Sequence, residues 1–384
     1  MTTSAINELI ATDPIWVEDD ATLNELCQSW SKQAAIAIDT EFLRTDTFYP
    51  IAALFQVGDG AGCYLIDPLA IKDFTYFKAL LVNPNVTKVM HSCSEDMEVF
   101  ARLFGLTPNP IFDTQVAAAI AGYDFSMGYA RLIERLMAIS LAKDQTRSDW
   151  LCRPLSSSQL RYAALDVAYL LVAYGMLQKR LGELGRSDWV LQDCAEIVAV
   201  ANRDVDPDSF YLKFKSAWKL NRKQLACLQL LAAWRECEAR DQNIPRNRLI
   251  KEHAVFDMAK LGPTEIKDLR RIEGLPPRVI HSYGDELLDI VEQAYHLPDD
   301  VCPQLIDRPL SPSAGPLVKQ IKLVLSQTAQ ELSFPVEMLL RKKDVELMAK
   351  GVYLHHKLEY PERLSGWRED LLKKLLEPIL TAAL

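Results

Sequence analysis

Asp39 and Glu41 stand one residue apart in the stretch "AAIAIDTEFL", residues 34 to 43. The apolar run before them predicts the end of a buried strand, where the side chains of i and i+2 share a face. Two carboxylates so placed repel each other unless a cation lies between them, and burying charge without a partner is expensive. Magnesium or manganese, hard cations that take oxygen ligands, would resolve the conflict. A solvated strand end is the competing reading, since short acidic spacings arise by chance, as at Glu236 and Glu238.

Two further stretches bear on that choice. In "HSCSEDMEVF" Asp96 falls in the first turn of a predicted helix, where the helix dipole favours an acid whatever its role. In "RYAALDVAYLL" Tyr162 and Asp166 are four apart and project from nearly one helix face, although Tyr162 also suits a core. Together the four acids have a chemical logic. Phosphodiester hydrolysis needs an activated water and charge stabilisation on the attacked and leaving oxygens, and two divalent ions about 3.5–4 Å apart provide both. Asp39 could bridge both ions, Glu41 and Asp166 complete one site, and Asp96 act through the waters of the second. Tyr162, with an ordinary pKa near 10, is a poor base at neutral pH and better suited to orienting the attacking water.

These residues need a scaffold. Runs at 34–39, 52–59, 62–67 and 87–92 read as strands, and 94–104 as a helix with Ser94 as its N-cap. The strands at 52–59 and 62–67, joined by a Gly-containing turn, predict an antiparallel hairpin. The result is an α/β mixed sheet with helices on its faces. From about residue 155 long amphipathic helices take over, and "RDVDPDSF" (203–210) reads as a domain boundary. Prolines at 298, 303, 309, 312 and 316 predict a stiff linker. Across it, "NIPRNRLIKEHAVFDMAK" (243–260) lies over "SFPVEMLLRKKDVELMAK" (333–350) at an offset of 90, aligning Pro245 with Pro335 and one M-A-K with the other. This reads as two copies of a small helical module. The expected domains are 1–206 for the sheet, 207–296 for the first module, 297–316 for the linker and 317–384 for the second module.

The 384 residues carry a net charge of −9, unevenly spread. Residues 1–205 hold 16 Lys and Arg against 26 Asp and Glu, whereas 211–250 hold nine basic and three acidic side chains, a segment that fits either a phosphate backbone or solvated helix faces. Eight cysteines without a C-x-x-C pair suit a reducing compartment better than zinc or disulfides. A start without a basic, then apolar, stretch and the lack of a long apolar run predict a cytoplasmic protein with no membrane span.

The ordered set Asp39-x-Glu41, Asp96 and Tyr162-x-x-x-Asp166 resembles the three exonuclease motifs of the four-carboxylate 3'-to-5' exonucleases, in the tyrosine subclass. Arg161 stands where the histidine subclass has its histidine. The stretch "GYARLIERLMAISLAKDQTRSDWLCRPLSSSQLRYAALD" is similar to the ribonuclease D family in particular, and the two repeats resemble the helicase-and-RNase-D C-terminal (HRDC) module. The resemblance implies an RNase H-like sheet carrying the acids, two all-α modules, two Mg2+ or Mn2+ ions, and removal of nucleotides one at a time from RNA 3' ends, as in transfer RNA maturation. It implies structured RNAs with 3' extensions as partners and a monomer that needs no obligate protein partner. The second module matches less well beyond Lys350, which favours a packing role.

Around these motifs Phe42 either stacks on a terminal base or packs in the core. Lys143, Arg147 and Arg153 either hold phosphates or solvate their loop. His91 reads as locally satisfied, and Asp113 as a helix cap or turn. Two other functions remain open: a DNA 3' exonuclease, because the acids select metal and phosphodiester rather than sugar, and a non-catalytic nucleic-acid-binding adaptor.

Overall fold

A computed structural model of the chain describes residues 12–141 and 148–384. These form two compact units, one within residues 12–43, 50–141, 148–203 and 310–384, the other comprising Arg44–Tyr49 and Asp204–Pro309.

The first unit is built on a six-stranded mixed sheet of order β1-β4-β3-β2-β5-β6. Its strands are β1 (Pro14–Val17), β2 (Ala35–Leu43), β3 (Ile51–Gly58), β4 (Cys63–Ile66), β5 (Thr87–Met90) and β6 (Ile111–Asp113). As the turn chemistry predicted, β3 and β4 pair antiparallel; β2 also runs antiparallel to β3, while the outer pairings are parallel. The short strands β1 and β6 were not legible, since four and three residues give no measurable periodicity. β2 runs on to Leu43, past the predicted end at residue 39, because β3 continues to pair with it. Asp39 and Glu41 are therefore inside a strand.

One face of the sheet is sealed by aromatic packing. Phe55 of β3 stacks on Phe100 with ring centroids 5.4 Å apart and touches Phe77 and Phe104. The first helix is α1 (Asp20–Trp30), and the rings packed on Phe55 come from the next two, Phe77 from α2 (Thr75–Leu81) and Phe100 and Phe104 from α3 (Ser94–Phe104). Lys88 on β5 is fully buried, and its ammonium donates to the carbonyls of Asn83, Val86 and Asn109 at 2.7–2.9 Å. Three acceptors match the three donors of a lysine, which lets a cation sit in the sheet.

Next in this unit come α4 (Thr114–Ile120), α5 (Tyr129–Met137), α6 (Ser157–Ala168), α7 (Leu170–Glu183) and α8 (Ser187–Ala201). The stretch Ser157–Glu183 is, among the described residues, long and apolar enough by length and composition to cross a membrane. Here it is the α6–α7 pair, with Ala163, Ala164, Val167 and Leu177 buried in the core.

In the second unit α9 (Arg222–Asp241) starts from an Asn221–Gln224 capping box. It packs with α10 (Glu252–Leu261) and α11 (Pro277–His296), the latter opening on a proline that needs no N–H partner. Several cations of the basic segment are consumed internally. Glu236, 1% exposed, accepts from both Arg240 and Arg246, and Arg246 also covers Phe48 at 4.6 Å. Arg235 is buried and donates to the Ile250 carbonyl. Its formal charge therefore overstates what residues 211–250 offer a phosphate backbone.

The C-terminal helices α12 (Gly315–Glu331), α13 (Lys342–His355) and α14 (Trp367–Ala382) belong to the same compact unit as the sheet. They dock on α8: Trp367 stacks on Trp189 at 4.5 Å, its indole N–H donates to Asp193, and Arg368 clamps Asp193 through bonds of 2.8 and 2.6 Å. Arg186 adds bonds to the carbonyls of Ile120 and Leu332. Helix α12 begins at Gly315 with Pro316 in its first turn, inside the segment expected to be linker.

Candidate active site

β2 sets the first two acids. Its register with β3 places Asp39 opposite Gln56 and Glu41 opposite Leu54, and then shifts between Glu41 and Phe42. Such a bulge leaves one residue unpaired and sharpens the local twist, a common device beside active sites. The residue passed over is Ala53, whose carbonyl accepts from Arg153 at 2.7 Å.

Asp96 comes from the first turn of α3, 7% exposed. Thr40, between the two strand acids and facing the other way, donates to Asp96 Oδ1 at 2.5 Å. Ser94 does not cap α3. The N-cap is Cys93, and its backbone N–H is met instead by the Asp113 carboxylate at 2.9 Å.

Tyr162 and Asp166 ride on α6, which opens with a reciprocal capping box between Ser156 and Gln159. Gly58 of β3 lets that helix lie close to the sheet: a Cβ there would meet the Val167 carbonyl at 2.9 Å and the Ala37 Cβ at 3.3 Å. The Tyr162 hydroxyl donates to the Asp166 carboxylate.

Burial and neighbouring charge act together on these acids. Burial pushes Asp39 well above the carboxylate range, reinforced by Asp96, Asp166 and Glu41. Glu41 is raised to about 9 by burial and then by Asp166 and Asp96. Burial lifts Asp166 to about 7 and Asp96 to about 6, the Tyr162 and Thr40 hydrogen bonds pulling the other way. Burial, then Asp166, raises the Tyr162 phenol further from neutrality. Among the described residues no group of three or more His, Cys, Asp or Glu side chains is placed to hold a metal ion as the side chains stand. An oxygen-only donor set whose members all resist ionisation fits hard divalent cations, which relieve the repulsion.

The remaining sequence candidates divide. Phe42 is half-buried and packs against the main core. Arg153 is corrected: its guanidinium is engaged by both Asp67 oxygens and by the carbonyls of Ala53, Trp150 and Cys152, so it braces the bulge instead of holding phosphate. Lys143 and Arg147 lie outside the described residues. His91 bonds Thr114 through Nδ1 at 2.9 Å, and burial lowers its pKa. Asp113 caps α4 through Gln115 and Val116. Sequence reasoning passed over Thr40, whose only signal was its place inside D-x-E. It also missed Tyr129, whose hydroxyl donates to the Leu165 carbonyl next to Asp166.

A mixed sheet that gathers two strand acids and two helix acids, the last paired with a tyrosine one turn earlier, defines a nuclease of the 3'-to-5' exonuclease class. Residues 14–182 match the family model of the 3'-5' exonuclease domain, and 224–291 match that of the HRDC domain. The chain belongs to the ribonuclease D family. It is 45% identical to ribonuclease D of Pseudomonas paraeruginosa over 96% of this chain and 98% of that one, and 36% identical to ribonuclease D of Escherichia coli over 95% and 97%. It superposes on the crystal structure of Escherichia coli RNase D with a TM-score of 0.90, at 35% identity, covering 96% of this chain and 99% of that one. It is accordingly a 3'-to-5' exoribonuclease, an RNA-binding nuclease of a family that depends on divalent metal.

Proposed function

We propose that this site hydrolyses the terminal phosphodiester of RNA 3' ends and releases 5'-mononucleotides, using two divalent ions, Mg2+ or Mn2+, held by Asp39, Glu41, Asp96 and Asp166. The observation that carries this reading is the burial of four carboxyl groups together, each held above its ordinary pKa by that burial, with Asp39 and Glu41 pushed further by the charges of Asp96 and Asp166, a conflict that cations remove. When bound, the ions supply charge neutralisation and lower the pKa of the attacking water. Tyr162 keeps its proton at neutral pH, so it orients that water by hydrogen bonding and does not deprotonate it. Asp166, bonded to the same phenol, holds it in place.

The substrates we infer are structured RNAs with 3' extensions, transfer RNA precursors among them. Two things support this: the match of residues 224–291 to the HRDC domain, and the likeness to Escherichia coli RNase D, an exoribonuclease involved in structured RNA processing. We read residues 317–384 as a diverged second copy of that module whose task is packing, which fits its docking on α8 through Arg368 and Asp193. A cytoplasmic monomer completes the reading.

The test is a time course on a 3'-extended transfer RNA labelled at its 5' end, with Mg2+, Mn2+ or EDTA, for the wild type and Asp39→Asn, beside a matched DNA oligonucleotide. A metal-dependent ladder shortening from the RNA 3' end, absent in the variant, is expected. Equal shortening of the DNA would return the reading to a general 3' exonuclease.

A further inference from the structure

Gln56 is fully buried, yet among the described residues neither its amide nitrogen nor its amide oxygen has a hydrogen-bond partner. A buried amide without partners is a standing free-energy cost, and such groups in a native fold call for an explanation. Its place supplies one. Gln56 sits on β3 directly opposite Asp39 on β2. Residues opposite each other in an antiparallel pair share a face, with Cβ atoms roughly 4.5–5.5 Å apart. The side on its other flank is apolar: its β4 neighbour is Leu65, which packs with Leu54, Trp150 and Ala163. Asp39 is thus the polar group that the register brings to this amide.

We propose that Gln56 is a positioning residue of the metal site, its side-chain amide donating to the Asp39 carboxylate when that site is loaded. A carboxylate offers about four lone-pair sites, more than an ion occupies. A donor fixed on the neighbouring strand takes one of these, locks the carboxylate rotamer and leaves the others for metal. Partners of this kind commonly carry 10–100-fold in metal affinity. The inference rests on the metal-site reading above and extends it to a residue outside the four acids.

The test uses the full chain, stripped with EDTA, and Mn2+ alone as the probe. Calorimetric Mn2+ affinity and metal-free Tm are measured for wild type, Asp39→Asn, Gln56→Met and Gln56→Leu. The expected pattern for the Gln56 variants is a metal-free Tm equal to or above wild type and Mn2+ binding weakened about tenfold or more. Wild-type Mn2+ affinity in either folded variant would overturn the proposal, leaving Gln56 a packing residue. Failure of both variants to fold would overturn it too, because the metal-free fold would then need the amide. If the wild type itself bound no Mn2+, the metal-site reading would fail first and take this one with it, a result distinct from the other two.

Discussion

Thr40 donates a 2.5 Å hydrogen bond to Asp96 across 56 positions of sequence, tying the strand that carries Asp39 and Glu41 to the helix that brings the third acid. Bonds to an ionised acceptor are shorter and stronger than neutral ones, and this one holds the Asp96 carboxyl down against burial. Thr40→Val keeps the shape and removes the donor. It should raise the Asp96 pKa further and weaken both Mn2+ affinity and turnover roughly tenfold, while Thr40→Ser stays near wild type. Equal behaviour of the Val and Ser variants in calorimetry would show that the bond is incidental.

Asp39→Asn should abolish hydrolysis without harming the metal-free fold. Asp39 is the acid on which the other three act, so removing it relieves repulsion and leaves an amide that can still hydrogen bond. The metal-free Tm should hold or rise, each kcal/mol being worth about 2–4 °C in a domain of this size. A fall of several degrees in a thermal melt would mark Asp39 as structural.

The same groups give the metal-free protein an unusual pH dependence. Glu41 at about 9, Asp166 at about 7 and Asp96 at about 6 all titrate above their unfolded values. Between those limits the folded state binds more protons than the unfolded one. Stability from these groups is therefore complete below about pH 4 and is lost as pH rises toward 9. Lys88, which burial pushes down to about 7, works in the opposite direction above that pH. Comparison of wild type with Glu41→Gln separates the two. In EDTA the Tm advantage of the variant should grow from pH 6 to pH 9, and with Mn2+ it should shrink or reverse. A pH-independent difference would be inconsistent with a raised Glu41.

What could be read from the sequence was the chemistry whose spacing is local. Asp39 and Glu41 share a face because a strand has period two, and Tyr162 and Asp166 share one because a helix turn is near four residues. Contacts that depend on register were not legible. The bulge between Glu41 and Phe42 creates the carbonyl that takes Arg153, which is why a loop arginine next to the last motif reads as a phosphate holder and turns out to be a brace. Gln56 was invisible for the same reason, since its neighbour is assigned by β2–β3 pairing and not by sequence distance. Ser94 looked like a cap because capping residues are recognised by type, whereas the group that meets the Cys93 N–H is a carboxylate twenty residues on.

The docking of the C-terminal helices gives the last prediction. Arg368 and Asp193 are 3% and 7% exposed and joined by two bonds, with Trp367 and Trp189 stacked beside them. Breaking a buried pair by removing one partner strands the other charge and costs about 3–5 kcal/mol, more than the pair itself contributes. Arg368→Ala should therefore loosen α12–α14 from α8 before the sheet is affected. Limited proteolysis should cut the variant within residues 310–384 at protease levels that spare the wild type. Because Asp193 and Arg368 are far in role from the four acids, cleavage of a short unstructured RNA should stay within about twofold. The double variant Arg368→Met with Asp193→Leu, which removes both charges, should recover most of the resistance. Unchanged proteolysis in Arg368→Ala would mean that the aromatic stack alone holds the segment.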